Sequence, residues 1–273
     1  MSQPKAFFLP AEAGYRYCIY HRAGRQDGAG RGIVYAHPFC EEMNKARRMA
    51  AMQSRELAAA GIAVLQIDLF GCGDSSGDFA DADWDLWKRD VRAALDWLRP
   101  QVVGPLGLWG LRLGAALAAD VAQDRGSGIK ELVLWQPVVV GDQFLTQFLR
   151  LRLAADMLAE GASQAGVRQL REQLREGTAV EVAGYDLHPR LASKIQDLRL
   201  GDLVPSVERV HCLEVTSGAE HRLSPATQRA MDAWKQRGLD VRASVVEGAP
   251  FWSTVEVTEC ESLRRATLDS LVA

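Results

Sequence analysis

The chain has 273 residues, 48% of them hydrophobic and 25% charged, and a formal net charge of -3. That size and balance suit one large α/β domain, or one domain carrying an insertion. They exclude a strongly basic nucleic-acid binder, since 32 Lys+Arg face 35 Asp+Glu and no basic block is longer than Arg47-Arg48. Five scattered cysteines (Cys18, Cys40, Cys72, Cys212, Cys260) form no Cys-x-x-Cys pair. They read as reduced thiols rather than a disulfide or zinc framework. The N-terminus lacks the apolar core of a signal peptide, and no apolar run approaches the ~20 residues of a membrane span. A cytoplasmic location is therefore expected.

Apolar runs at 6–9, 16–21 and 32–36 predict antiparallel edge strands leading into a sheet. The loop His37-Pro38-Phe39-Cys40-Glu41-Glu42-Met43-Asn44-Lys45 follows. Residues 42–60 have helical spacing, with Met43, Met49, Met52 and Leu57 on the apolar side and Gly61 as the stop. Residues 62–68 read as a buried strand running into the glycine-rich Asp68-Leu69-Phe70-Gly71-Cys72-Gly73-Asp74-Ser75. Residues 84–98 form a helix whose Trp87, Val91, Ala94, Leu95 and Leu98 make a core stripe.

Between Leu106 and Ala118 an apolar run meets two glycines four apart, Gly110 and Gly114, and then an alanine-rich run. That pattern is strand, sharp turn, helix, with Arg112 at the turn. Residues 131–140 are continuously apolar, as in a strand buried on both faces. Three alternations of strand and helix predict a mostly parallel, doubly wound sheet. Helical patterns at 144–158, 167–176 and 185–200 then break the rhythm. The expected organisation is a core of 1–140 and 206–273 with a helical lid or cap insertion at 141–205. His188-Pro189 reads as a helix start. A strand at 210–216 leads to a loop holding Glu220 and His221. A helix at 226–238, a last strand at 241–247, the segment Gly248-Ala249-Pro250-Phe251-Trp252 and a closing helix at 257–271 complete the chain.

The Gly-x-x-x-Gly turn, the Asp-x-x-Gly-x-Gly-x-Ser loop and the order of elements together resemble the α/β-hydrolase family over nearly the whole chain. The resemblance implies a nucleophilic serine at the turn, an oxyanion-hole N–H from the loop near His37, and an Asp that orients a catalytic His. Arg112, His221 and Pro250 occupy the three triad positions here, with Glu220 one residue early. A guanidinium that stays protonated is no nucleophile. More narrowly, His-Pro-Phe-x-Glu-Glu-Met-Asn-Lys, Leu-Trp-Gly-Leu-Arg-Leu-Gly and Gly-x-Pro-Phe-Trp together resemble the exosortase A system-associated hydrolases of the second type. This implies a bacterial setting of PEP-CTERM protein sorting and exopolysaccharide production, with a protein partner from that system.

Two readings follow. In the first, Arg112 is a fixed cation at a helix N-terminus and binds a small-molecule or peptide ligand, anionic or acyl, without serine hydrolysis. His37, Phe39, Cys40, Glu220, His221 and Trp252 would surround it. An inert version pairs Arg112 with Glu220 and has no ligand. The second reading is an active esterase, thioesterase or acyltransferase whose relocated nucleophile is Cys40, with His37 nearby and His221 as base. Against it stands a Cys40 that is simply a small buried residue. No cofactor and no metal site is expected, and the oligomeric state is open.

Overall fold

The computed structural model describes residues 3–24, 30–160, 166–218 and 221–272. The chain opens with a hairpin, β1 (Lys5–Ala11) and β2 (Gly14–His21). It then alternates β3 (Arg31–Ala36), α1 (Glu41–Ala59), β4 (Ile62–Ile67), α2 (Trp84–Leu98), β5 (Leu106–Leu111), α3 (Leu113–Val121) and β6 (Ile129–Trp135). The segment that follows holds α4 (Gly141–Glu160), α5 (Val167–Arg175), a small hairpin of β7 (Val180–Val182) and β8 (Tyr185–Leu187), and α6 (Pro189–Asp197). The sheet resumes with β9 (Arg209–Thr216), α7 (Pro225–Gln236), β10 (Asp240–Glu247) and α8 (Glu261–Val272).

Eight strands form one sheet in the order β1-β2-β4-β3-β5-β6-β9-β10. Only the β1/β2 and β2/β4 pairs are antiparallel; the remaining pairs are parallel. The strand order reverses at β3, which has β4 on one side and β5 on the other. In such sheets ligands bind outside the carboxyl ends of the strands at this switch point. The turns that leave β3 and β5 therefore mark the place to look.

Side chains alternate across the pleat. Ile33 and Tyr35 of β3 join a core layer with Met49 of α1, Trp109, Trp135 and Leu263 of α8. Val34 and Ala36 join the opposite layer, with α2, α3 and α7. Arg16 of β2 is fully buried against Asp90 of α2 at 2.7 Å. Asp90 also accepts the Phe70 N–H at 2.8 Å, so a single buried ion pair fastens strand, helix and glycine-rich loop.

Four expected elements differ, among them the closing helix expected at 257–271, which begins at Glu261. Residues 32–36 are an inner parallel strand, not an edge, because β4 and β5 pair on both its sides. The strand expected at 131–140 ends at Trp135: Gln136 takes φ +42 and Pro137 follows, which stops the ladder. The helix expected at 185–200 begins only at Pro189. Tyr185–Leu187 instead pairs with Val180–Val182. Ala183 and Gly184, at φ +53 and +83, make a two-residue connection with positive φ at both positions, which suits a tight hairpin.

Candidate functional site

One residue, Arg112, joins β5 to α3. Its backbone sits at φ 56, ψ -117, a sparsely populated conformation. The flanking glycines permit it. A Cβ on Gly110 would lie 2.4 Å from the Gly114 carbonyl oxygen, and one on Gly114 would lie 2.3 Å from the His37 oxygen and 2.4 Å from that of Ala36. Strand, turn and helix approach this closely only without side chains. The turn is pinned on both sides: Arg112 N–H donates to Trp135 O at 2.9 Å, and Val138 N–H donates to Arg112 O at 3.2 Å.

The parallel turn after β3 has nearly the same shape. Cys40 sits at φ 49, ψ -128 and caps α1. Glu42 is thereby delivered to the first turn of α1, opposite Arg112. Arg112 Nε donates to Glu42 Oε1 at 3.1 Å. The side chains are 18% and 20% exposed. The guanidinium also lies 5.8 Å from the Phe144 ring centre and 5.6 Å from that of Trp252, within cation–π range of both. Burial pushes the Glu42 carboxyl up, opposed by the attraction and hydrogen bond of Arg112. Its second oxygen, Oε2, is buried without a partner among the described residues.

A cavity of about 240 Å³ opens beside Arg112. Gln136, Gln143, Phe144 and Gln147 form part of its wall, and Glu214, Ser224 and Thr227 another part. Glu214 is not a free base. It accepts the Ser224 N–H at 2.6 Å, the Ser224 hydroxyl at 3.0 Å and the Thr227 hydroxyl at 2.5 Å. Gln136 accepts the Val215 N–H at 2.7 Å. The cavity thus offers one cation, neutral amides and an already satisfied carboxylate.

The family model of the serine aminopeptidases, S33, matches residues 30–201, well over half the chain. The chain belongs to that family. Solved structures agree on the fold of this S33-family chain. Est1E from Butyrivibrio proteoclasticus with ferulic acid bound is similar at 15% identity and TM-score 0.73, covering 98% of both chains. A thermostable carboxyl esterase from Bacillus coagulans in complex with glycerol matches at 13% identity and TM-score 0.65, covering 100% of this chain and 97% of its own. An α/β serine hydrolase without lid from Xanthomonas campestris matches at 15% identity and TM-score 0.56, with coverage of 99% and 94%. Comparison with curated proteins gave no match.

Against this S33-family frame, the residues expected around Arg112 separate. Trp252 is there, its ring on the guanidinium. His37 is buried and engaged at both nitrogens: Nε2 accepts the Leu69 N–H at 3.2 Å, which leaves the proton on Nδ1, 2.8 Å from Pro38 O. Burial lowers its pKa, so the ring is a neutral brace for the loop. Phe39 does not line the cavity. It is buried among Phe79, Trp87, Phe144 and Phe148, with ring centres 5.0 to 6.1 Å away. It pins α4 to the core.

Cys40 is also buried, and burial raises its thiol pKa well above the ordinary value. The void it faces is only about 10 Å³, room for about one water. Among the described residues no cysteine, serine or threonine shares a hydrogen bond with a histidine. His221 is exposed, and Glu220 lies outside the described residues. Among the described residues the carboxylate on Arg112 is Glu42. A signal for Glu42 existed in the acidic first turn of α1, but the spacing of 70 residues hid the pairing. The cavity-lining Gln136, Glu214 and Ser224 carried no motif. No group of three or more His, Cys, Asp or Glu able to hold a metal occurs among the described residues, and no helix among them is long and apolar enough to cross a membrane.

Proposed function

We propose that this S33-family chain is a non-hydrolytic α/β-hydrolase-fold protein that uses Arg112 to bind an anionic or acyl ligand, with its Ser-Asp-His triad degenerate. The observation that carries the reading is Arg112 itself, held in the strained elbow at the N-terminus of α3 with only Nε engaged by a carboxylate. The two terminal guanidinium nitrogens have no hydrogen-bond partner among the described residues, and they form a fork for a carboxylate or phosphate. The α3 N-terminus adds its orphan backbone donors and partial positive charge. Gln143 and Gln147 of α4, at the cavity wall, suit the neutral part of such a ligand, and the segment 141–205 is proposed as its lid. The similar structures include Est1E with ferulic acid bound and a carboxyl esterase, and an acyl or carboxylate ligand is consistent with them.

The proposed setting is the exosortase A system, in a cytoplasmic location and with a protein partner from that system. Its support is that the three stretches carrying the resemblance supply Glu42, Arg112 and Trp252, which meet at one guanidinium. Hydrolysis through Cys40 has no observation in its favour.

The test is turnover of p-nitrophenyl esters from acetate to octanoate, with binding of octanoate followed in parallel by tryptophan fluorescence. Wild type is expected to show no turnover above buffer and a saturable signal with octanoate that Arg112→Gln weakens at least tenfold. Wild-type turnover abolished by Cys40→Ala would overturn the proposal, as would octanoate binding indifferent to Arg112→Gln.

A further inference from the structure

A second, larger cleft of about 800 Å³ lies between the first turn of α2 and helices α5 and α6. It shares no lining residue with the cavity beside Arg112. Helix α4 stands between them, giving Leu145 to the cleft and Gln143, Phe144 and Gln147 to the cavity. The volume lies in the ordinary range of small-ligand sites, roughly 300–1,000 Å³.

The lining of the cleft is basic in a protein of net charge -3. Arg89 comes from α2, Arg171 and Arg175 from α5, and Arg190 and Lys194 from α6, while the acidic lining residues are Asp83 and Asp85. Some of these charges are already engaged. Arg171 holds Asp142 at 2.7 Å, Thr146 at 2.6 Å and Gln196 at 3.2 Å, and so fixes α5 to α4 and α6. Asp83 caps α2 by accepting the Leu86 N–H at 2.7 Å. Arg89 and Arg175 form exposed pairs with Glu12 at 2.8 Å and Glu172 at 3.0 Å; such pairs are weak and readily exchanged for a better anion.

Arg190 and Lys194 are different. Both are exposed, both line the cleft, and neither has an ion-pair partner among the described residues. They are four apart on one helix face, where like charges repel. Arg190 also sits in the first turn of α6, at the end where the helix itself is positive. The dipole disfavours Arg190, and like-charge repulsion disfavours the pair in the absence of an anion.

We propose that this cleft is a binding site for a small polyanion carrying two or more phosphate groups, held by Arg190 and Lys194 on one wall and by Arg89 and Arg175 on the others. Several cations around one concave volume fit a ligand with clustered charge better than a single carboxylate. Guanidinium forks add two-point contacts to phosphate oxygens.

Calorimetric titration with inorganic tripolyphosphate at about 50 mM salt, where surface charges are only partly screened, tests this. Citrate and orthophosphate serve as comparison ions. Expected are saturable tripolyphosphate binding that falls with added salt, at least tenfold weaker binding to R190A/K194A, and weaker binding of citrate and orthophosphate to wild type. Both substituted residues are exposed, so the double variant keeps its fold, which circular dichroism checks. No saturation up to about 10 mM, or undiminished affinity in R190A/K194A, would overturn the site. Citrate binding as tightly would overturn its assignment to phosphate. Loss in Arg112→Gln but not in R190A/K194A would move the anion to the elbow.

Discussion

Replacing Arg112 by methionine tests the elbow ion pair directly. Methionine keeps the apolar stem against Phe144 and Trp252 but removes the charge. Glu42 is then left as a carboxylate about four-fifths buried, with neither oxygen paired. Breaking one side of a buried pair costs about 3–5 kcal/mol. The low end, about 3 kcal/mol, applies because a fifth of each side chain meets water. The cost depends on pH in a definite direction. The Glu42 carboxyl is already raised by burial in the folded protein, and losing Arg112 raises it further. Between its unfolded and folded pKa values the folded state binds the extra proton, so stability falls as pH rises through that window.

The penalty of Arg112→Met is thus expected to be larger near about pH 8 than near about pH 5, because a raised carboxyl takes up its proton more readily as the pH falls. Urea unfolding followed by tryptophan fluorescence, at both pH values, measures this. Arg112→Met/Glu42→Gln closes the cycle, and the two single costs are expected to exceed the double by about 2 kcal/mol at pH 8. A penalty equal at both pH values, or single costs that simply add, would refute a buried ion pair at the elbow.

Two further outcomes follow from packing. Gly114→Ala puts a methyl 2.3 Å from the His37 carbonyl oxygen and 2.4 Å from that of Ala36. Since neither backbone oxygen can retreat without moving β3, a loss of about 3 kcal/mol is expected in urea unfolding, at the upper end for overpacking. Arg16→Met leaves Asp90 as an unpaired charge in a site where both side chains are essentially inaccessible; a loss of about 3–5 kcal/mol is expected, with Arg16→Met/Asp90→Leu recovering most of it.

Periodicity made α2 legible to the residue, because its stripe of Trp87, Val91, Ala94 and Leu98 faces one core layer. The elbow was legible because two glycines four apart stand between an apolar run and an alanine-rich run, and the order of the surrounding elements fits them. What the sequence hid was pairing. The run at 32–36 has the same local pattern whether it lies at an edge or between β4 and β5. The sequence 185–200 has apolar spacing that fits a helix, yet Ala183-Gly184 turns its first three residues back onto β7. At the site, the motifs single out Arg112 and Trp252, whereas Glu42 lies inside a motif and at the start of a helical run with no sign of its partner. An ion pair between residues 42 and 112 depends on the mutual approach of two turns, which no local pattern encodes.

That approach gives the strained backbone at Arg112 a structural role. Cys40 and Arg112 adopt nearly the same rare backbone conformation, at ψ -128 and -117, and each costs about 1–3 kcal/mol. Each caps the helix that follows a parallel strand, Cys40 after a short loop and Arg112 directly, and the two strands are neighbours. Gly114 lets α3 slide against the end of β3, so the two turns stand side by side. One turn then presents Glu42 and the other Arg112, and Trp252 closes the guanidinium from a third segment. In a hydrolase the same geometry aims an attacking atom at a substrate. Here it holds a cation, with one carboxylate oxygen engaged and two guanidinium nitrogens uncommitted, at the switch point of the sheet where α/β folds receive their ligands. The proposed anion site therefore rests on the backbone geometry of the elbow and on the side chain it presents at position 112.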